Sequence, residues 1–302
     1  MIPVRGRCRS VRDTCRKYCN EQGKDFVTIH QEKMSSLADK ILEALQIDWD
    51  EENWHYNPPA DRNDGKERLA MYILALDAIN FCFWPTERYE YEQISTTLTK
   101  MAEYDHDQPD LGFLLSPDSL STMTSERMAD LFRTFGDDKI PPDIDVRCRL
   151  WNEVGTVLND QFDASALKFL EQAQGSAPAL VDLVVHYFPG FRDTCDDISF
   201  LKRAQILVGD WNASMKLELS DMATLTTFAD YRVPQLLREE GVLEYATDLA
   251  LAVDGRQEIA ENSPWEWSIR ASTVVAVEDL VACANAKSDR TLTDVEVDWF
   301  LW

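Results

Sequence analysis

Apolar residues spaced for α-helices are the feature that most restricts what this chain can fold into. Residues 128–135 and 180–187 each place apolar side chains at positions i, i+3, i+4 and i+7. This spacing puts those side chains on one face of a helix, which is then buried against a core. The best extended candidate is the short run DFVTI at residues 25–29, and no longer alternation of apolar and polar residues indicates a large sheet. The sequence therefore predicts a mainly α fold with at most a few short strands.

Several helix boundaries can also be located. Residues 263–266 and 293–296 each begin with Ser or Thr and end with Glu three positions later, which is the pattern of a capping box that starts a helix. Pro234 and Gly241 bracket a further helix, since proline favours the first turn and glycine favours the end. No segment has the composition of a flexible linker, a low-complexity tract or a repeat. Residues 1–302 are therefore expected to form a single helical domain.

The charge of the chain argues against a nucleic acid as a stable partner. Acidic residues outnumber basic ones 54 to 30, for a net charge of −24, and such a surface repels a polyanion. No apolar stretch is long enough to span a bilayer, so no membrane association is expected. The four histidines lack the spacing of a zinc-binding pair, and no metal or other cofactor is predicted. The sequence leaves the oligomeric state open.

The cysteines indicate a reducing compartment. There are seven of them, an odd number, and none forms a CxxC pair. Free thiols are typical of intracellular proteins, so the expected location is cytoplasmic. The arginine-rich opening, residues 1–17, resembles a mitochondrial transit peptide and leaves a mitochondrial location as the alternative.

An acid, a phenol and a guanidinium stand side by side at residues 230–232, just before the helix that Pro234 predicts. A turn that enters a helix can aim such side chains into a cleft beside the positive end of the helix. Asp230 and Arg232 are therefore candidates for a functional site. The alternative is that Asp230 only accepts hydrogen bonds from backbone groups and that Arg232 forms an ordinary ion pair.

A lysine interrupts a segment that otherwise has the pattern of a buried helix. Residues 198–211 carry one apolar stripe, while Lys202 and Gly209 lie on a different face. A lysine aimed across a glycine indicates a site for an anion. The alternative is a lysine whose stem covers apolar surface while its ammonium stays in water.

Longer strings point to a known family. In order along the chain they are LALDAINFCFWP, SAPALVDLVVHYFPGFRD, ISFLKRAQILVGDW, LTTFADYRVPQLL, IRASTVVAVEDL and VDWFLW. Together they resemble the queuosine salvage protein family, the queuosine 5'-phosphate N-glycosylase/hydrolases, from about residue 11 to the C-terminus. The resemblance implies a helical fold similar to that of DNA glycosylases. It also implies hydrolysis of a small nucleotide, queuosine 5'-monophosphate, to ribose 5-phosphate and queuine, which is salvaged for tRNA modification.

The same resemblance implies roles for individual residues. The aspartate of the FADYR string lies at the anomeric carbon in that family, which makes Asp230 the candidate catalytic residue. Phe228, two positions earlier, is then expected to contact the base. His55, the histidine of the WHYNP string, and Asp298, the aspartate of VDWFLW, are expected to bind queuine.

Four further residues follow from the resemblance combined with charge. Lys202 and Arg232 are candidates for binding the 5'-phosphate, and Asn80 and Trp84 are candidates for the wall of the pocket. Breaking the C1'–N bond builds positive charge on the ribose, so a carboxylate held at that carbon lowers the barrier by electrostatics or by covalent attack. A phosphate bound by cations supplies binding energy that positions the reacting carbon.

Two features depart from the family pattern. Leu201 precedes KRAQ, where the family usually has an aromatic residue, and the final string ends at Trp302, where relatives carry an acidic residue and a further tail. This string is expected to form a helix that buries Val295, Trp299 and Trp302. The helix would point Asp298 at the base, where it contributes little to stability.

Three functions are therefore compared. The favoured one is an N-glycosidase that acts on queuosine 5'-monophosphate. The first alternative is a nucleic-acid base glycosylase of the same fold, which the acidic charge disfavours. The second is a catalytically inactive helical protein that binds queuine.

Overall fold

The computed structural model describes residues 7–44, 56–60, 62–83, 89–107, 112–195 and 198–302. The mainly α fold predicted from the helical spacing is confirmed, because the part of the chain that the structure describes is 65% helical. None of the helices in the described ranges is long and apolar enough to cross a membrane. The α-helices of these ranges are α1 (Arg7–Glu21), α2 (Gln31–Ala44), α3 (Gly65–Ala78), α4 (Tyr91–Asp107), α5 (Pro117–Ser121), α6 (Ser125–Phe135), α7 (Ile144–Gln161), α8 (Ala166–Glu171), α9 (Ala177–Tyr187), α10 (Lys202–Met215), α11 (Val233–Glu239), α12 (Thr247–Asp254), α13 (Pro264–Asn285) and α14 (Asp294–Leu301).

The strands of the described residues are short and form two antiparallel pairs. They are β1 (Val27–Ile29), β2 (Thr194–Cys195), β3 (Ile198–Ser199) and β4 (Leu243–Tyr245). β1 pairs with β4, and β2 pairs with β3. The extended run predicted at residues 25–29 is thus a strand over its last three residues.

The chain divides into two compact units. The first contains residues 1–49, 193–205 and 221–302, and the second contains residues 50–192 and 206–220. The first residues of α10 therefore belong to the first unit and the rest of that helix belongs to the second. The expectation that the whole chain is a single domain stays a prediction, as does the similarity to DNA glycosylases.

The central helix of the first unit is α13. Its side chains between Ala271 and Ala284 are buried on several faces, and both α1 and α2 pack against it. A helix that is apolar around its circumference is stable only inside a core. The Ser263 hydroxyl accepts the N–H of Glu266 at 3.3 Å, so α13 begins where the sequence predicts.

The second unit has a comparable buried helix, α3, whose side chains are covered over most of its length. The indole N–H of Trp151 donates to the carbonyl of Ala75 at 2.8 Å, and that of Trp211 donates to the carbonyl of Ala70 at 3.0 Å. Large aromatic side chains can therefore be buried against α3 without leaving a donor unsatisfied. A Cβ at Gly155 of α7 would lie 2.3 Å from a backbone nitrogen of α5, so only glycine permits this close approach.

The sequence prediction for α14 is partly wrong. The helix forms, with a capping box at Thr293, and Val295 is buried as expected. Trp302, however, is 49% exposed, and Trp299 is partly exposed. The tryptophans therefore do not form the buried face of this helix.

The buried face of α14 instead combines apolar and acidic residues. Asp294, Val297, Asp298 and Leu301 are all buried and occupy positions i, i+3, i+4 and i+7. Aspartate tolerates such burial only when partners are present, and a guanidinium nitrogen of Arg12 lies 2.9 Å from Asp294. A search for apolar stripes misses this face because half of its members are acids.

Candidate active site

Asp230 lies where an extended segment enters α11. One carboxylate oxygen, Oδ1, accepts the backbone N–H of Arg232 at 2.8 Å and that of Val233 at 3.0 Å. The side chain therefore does satisfy backbone groups, as the alternative interpretation of the sequence held. The described residues make no hydrogen bond to Oδ2. One oxygen fixes the orientation of the carboxylate, and the other remains available for chemistry.

The segment before Asp230 is held to α10 by the glutamine of the KRAQ string. The Gln205 side-chain carbonyl accepts the N–H of Thr226 at 2.8 Å. Its amide donates to the Thr226 hydroxyl at 2.9 Å and to the carbonyl of Phe200 at 2.9 Å. All of these groups are buried, so each is stabilised in one geometry. The strings ISFLKRAQILVGDW and LTTFADYRVPQLL are thus in direct contact.

Asp298 of α14 binds the same segment through Thr227 and Phe228, the two residues that follow Thr226. Its Oδ1 accepts the backbone N–H of Phe228 at 2.7 Å and also accepts the hydroxyl of Thr227. Asp298 is only 2% exposed. The carboxyl group predicted to contact the base therefore also positions the chain that leads into Asp230.

The environment of Asp298 favours its neutral form. Burial raises the pKa of this carboxyl group to about 8, and the negative charge of Asp230 acts in the same direction. The hydrogen bonds from Thr227 and Phe228 and the charge of Lys202 lower the pKa and only partly offset burial. Near neutral pH, Asp298 is therefore mostly protonated. Since Oδ1 accepts two hydrogen bonds, the proton belongs on Oδ2, where it can be donated.

Lys202 is the first residue of α10 and is half-buried. Burial lowers the pKa of its ammonium group, while the negative charge of Asp230 opposes that shift. The ammonium makes no ion pair with any residue in the described ranges. A partly desolvated cation of this kind gains from an anionic ligand.

The residue before Lys202 takes an unusual backbone conformation. Leu201 is fully buried, yet its φ is +53°, in the left-handed region that residues with a Cβ rarely adopt. Leu201 is also one of the two departures from the family pattern found in the sequence. Such strain is stored where the surrounding structure requires it, and here it directs the start of α10.

The other predicted residues of the first unit differ in exposure. Phe228 is buried, with 5% of its surface exposed. Arg232 is exposed, and its guanidinium carbon lies 5.8 Å from the ring centroid of Trp302. The structure therefore brings Asp230, Lys202, Phe228, Arg232 and Asp298 together in one unit.

The structure leaves three predicted residues, Asn80, His55 and Trp84, untested. Asn80 belongs to the second unit, where its side-chain amide donates to Asp77 at 3.4 Å. His55 and Trp84 lie outside the described residues. Their roles stay predictions.

Sequence reasoning missed two charged residues of the first unit. Asp193 and Arg270 form an ion pair with N–O distances of 2.9 and 2.5 Å. Both lie inside strings that carry the family resemblance, GFRD and IRAS. That position in the strings was the available signal, but nothing in the residue types alone distinguishes this pair from an ordinary surface pair.

Within the described ranges, neither a cluster of metal-binding side chains nor the cavity beside β4 involves Asp230, Lys202 or Asp298. Among the described residues, no group of three or more His, Cys, Asp or Glu side chains could hold a metal ion. A cavity of about 380 Å³ lies beside β4 and is lined by His30, Arg238 and Tyr245, among others. None of the predicted site residues that the structure describes lines that cavity.

The described residues combine three complementary groups on a helical scaffold. They are a carboxylate with one fixed oxygen, a buried protonated carboxyl group and a half-buried lysine. This combination suits the cleavage of a bond that leaves positive charge on one fragment and requires a proton on the other. Fold and site thus define a mainly helical protein with a candidate acid–base site.

Sequence comparison agrees with this class. The profile of the queuosine salvage protein family matches residues 59–302. A protein of Dictyostelium discoideum is 37% identical over 297 residues, covering 91% of this chain and 87% of its own length. A protein of Sphaerobacter thermophilus is 37% identical over 258 residues, covering 80% of this chain and 77% of its own length. A mouse protein is 27% identical over 312 residues, covering 95% of this chain and 90% of its own length.

All three relatives are named queuosine 5'-phosphate N-glycosylase/hydrolase. The chain belongs to the queuosine salvage protein family. The resemblance inferred from the six sequence strings is therefore confirmed.

Proposed function

We propose that this protein hydrolyses the N-glycosidic bond of queuosine 5'-phosphate and releases queuine and ribose 5-phosphate. The relatives that carry this activity in their names span most of the chain. The observation that carries the proposal is the arrangement of Asp230, which presents one oxygen while Asp298 and Gln205 hold the segment before it.

Asp230 is assigned to the ribose side of the reaction. When the C1'–N bond breaks, its electron pair leaves with the base and positive charge develops on the sugar ring. The carboxylate stabilises that charge or forms a transient bond to C1'. Water then supplies a hydroxyl group to C1' and a proton to the base, so that the overall reaction is a hydrolysis.

Asp298 is assigned to the base side. A carboxyl group whose pKa is about 8 keeps its proton near neutral pH and can donate a hydrogen bond to a leaving group that gains negative charge. His55, predicted from the sequence to serve the same side, lies outside the described residues. The assignment of Asp298 therefore rests on its burial and on its fixed Oδ1.

Lys202 is assigned to the 5'-phosphate, with Arg232 as a second cation. Burial disfavours the charge of Lys202 in the absence of a ligand, and a phosphate would restore it. This interaction is remote from the bond that breaks, so it can be used to position C1' at Asp230. The favoured substrate is accordingly the small-molecule nucleotide rather than the plain nucleoside.

The experiment is to incubate the purified protein with queuosine 5'-phosphate and to follow free queuine by mass spectrometry. Queuine and ribose 5-phosphate should appear in equal amounts. Asp230→Asn, tested in parallel, identifies any contaminating activity. Failure of the unmodified protein to release queuine would refute the proposal and would leave the inactive queuine-binding protein as the better interpretation.

We also propose that the protein acts in the cytoplasm and forms no stable complex with nucleic acid. Cys15, Cys19, Cys148 and Cys283 carry free thiols, which are typical of a reducing compartment. The net charge of −24 opposes binding to a polyanion. Salt-dependent binding to duplex DNA or RNA in the micromolar range would contradict the second part.

A further inference from the structure

The ion pair between Asp193 and Arg270 connects the two chain segments that carry the candidate catalytic groups. The Asp193 carboxylate accepts both terminal guanidinium nitrogens of Arg270, at 2.9 and 2.5 Å. The guanidinium carbon lies 4.0 Å from the ring centroid of Phe200. Two parallel hydrogen bonds and a stacked aromatic ring leave the guanidinium little freedom to rotate.

Each partner of the ion pair makes a second contact with the site. Asp193 Oδ2 accepts the backbone N–H of Lys202 at 3.1 Å. Arg270 Nε donates to the carbonyl of Ala229, the residue directly before Asp230, at 3.0 Å. A continuous path of hydrogen bonds therefore runs from the start of α10 to the turn that carries Asp230.

Both members of the pair are charged in this environment. Burial opposes the charge on Asp193, but Arg270 outweighs burial and lowers the pKa of the carboxyl group. Burial likewise opposes the charge on Arg270, and Asp193 outweighs it and raises the pKa of the guanidinium. The two charges of the pair compensate each other, and Glu266 accepts a further hydrogen bond from Arg270 Nη1 at 3.3 Å, so the pair is suited to a mechanical role.

We propose that Asp193 and Arg270 are positioning residues that set the separation between Lys202 and Asp230. The inference rests on the proposed function. If Lys202 binds the phosphate and Asp230 acts at C1', the separation of these two residues must match the distance between the two ends of a ribose 5-phosphate. Arginine is required because Nη1, Nη2 and Nε are used at once. Lysine offers one nitrogen and cannot span both partners.

The test is Arg270→Lys, which keeps the positive charge but replaces the three guanidinium donors with a single ammonium group. A displacement of the order of 1 Å at a reacting group costs about 100-fold in rate, so kcat should fall by about 10- to 100-fold while KM changes by less than about threefold. The matched control is Arg238→Lys. Arg238 also binds an aspartate through two nitrogens, Asp254 at 2.7 and 3.0 Å, and lies 4.8 Å from the ring of Tyr245. The control should keep the unmodified kcat.

A double variant separates positioning from simple loss of folding. In the Asp230→Asn background, adding Arg270→Lys should cause no further loss of turnover, because Arg270 acts through Asp230. Asp193→Asn, which keeps the shape of the side chain, provides a second variant if Arg270→Lys does not fold. Each variant is accompanied by its circular dichroism spectrum and melting temperature.

The outcomes are distinct. If the unmodified protein releases no queuine, the proposed function fails. If the unmodified protein is active and Arg270→Lys matches Arg238→Lys in kcat, the positioning role is wrong. The positioning role is also wrong if the loss of kcat in Arg270→Lys is accounted for by the fraction of unfolded protein. It is wrong as well if the double variant with Asp230→Asn loses turnover by the product of the two single losses.

Discussion

Asp298 accepts a hydrogen bond from the backbone N–H of Phe228 at 2.7 Å, two residues before the candidate catalytic Asp230. A group predicted only to bind the base therefore also fixes the chain that leads into Asp230. Removing it should affect both binding and folding. Asp298 is expected from the sequence to contribute little to stability. The structure instead predicts a loss of stability when it is removed, because the buried N–H of Phe228 and the buried hydroxyl of Thr227 both donate to it.

Asp230→Asn should keep the fold and remove most of the activity. The asparagine oxygen can still accept the N–H groups of Arg232 and Val233, whereas the negative charge opposite the ribose is lost. Turnover should fall by about 100-fold or more, as for other groups that stabilise charge in a transition state. Steady-state release of queuine and a melting curve measure the two effects. A variant with nearly unchanged turnover would exclude Asp230 as the catalytic residue.

Asp298→Asn should weaken the dependence of stability on pH. In the folded protein the pKa of Asp298 is about 8, against an ordinary value of 3.8. Between these values the folded state binds more protons than the unfolded state, so the free energy of unfolding decreases as pH rises. The stabilisation that this group contributes is fully present below pH 3.8 and is lost as the pH rises to about 8.

Asparagine has no proton to exchange in this range, and its oxygen can still accept the hydrogen bonds from Phe228 and Thr227. Melting temperatures of the unmodified protein and of Asp298→Asn, measured from pH 5 to 8.5, provide the comparison. The unmodified protein should lose more stability over this interval than the variant. If the melting temperatures of the two proteins change in parallel with pH, Asp298 is ionised over the whole range and the prediction is wrong.

Lys202→Ala should reduce the preference for a phosphorylated substrate. The unmodified protein is expected to cleave queuosine 5'-phosphate more efficiently than queuosine, and the variant should narrow the ratio of the two kcat/KM values. Lys40→Ala is a suitable control, because Lys40 is exposed and pairs with Glu240 at 2.6 Å. If the unmodified protein cleaves both substrates equally well, Lys202 is not a phosphate ligand.

Leu301→Ala should destabilise the protein more than Trp302→Ala, although tryptophan is the larger residue. Leu301 is 4% exposed and Trp302 is 49% exposed. A buried leucine costs about 2–5 kcal/mol when truncated, whereas a half-exposed side chain outside the core costs about 0.5 kcal/mol. Chemical denaturation of both variants measures the difference. If Trp302→Ala lowers the free energy of unfolding more than Leu301→Ala does, the buried face predicted from the sequence would be supported instead.

The sequence predicted the fold class and the starts of α13 and α14 because both depend on local patterns. The capping box at Thr293 and the strand at residues 27–29 needed only a few neighbouring residues. The buried face of α14 could not be predicted, because Asp294 and Asp298 are buried only through partners far away in the sequence, Arg12 and the segment 227–228.

The candidate site was predictable to the extent that it lies within recognisable strings. Asp230, Lys202 and Asp298 were predicted in this way and lie in one unit, and their roles stay predictions. The ion pair of Asp193 and Arg270 was not predicted, since its members are 77 residues apart and neither residue type indicates its partner. Pairing of this kind depends on the tertiary fold.

The side chain of Gln205 uses its carbonyl and its amide on a single residue, Thr226, and adds a bond to Phe200. Glutamate would have no N–H to give, and asparagine would be one methylene too short to reach. A replacement at position 205 would therefore leave buried groups at Phe200 and Thr226 unsatisfied. The strings ISFLKRAQILVGDW and LTTFADYRVPQLL, which are separate in the sequence, are therefore joined at the Gln205 side chain, so that a change at position 205 in the first disturbs the backbone of the second.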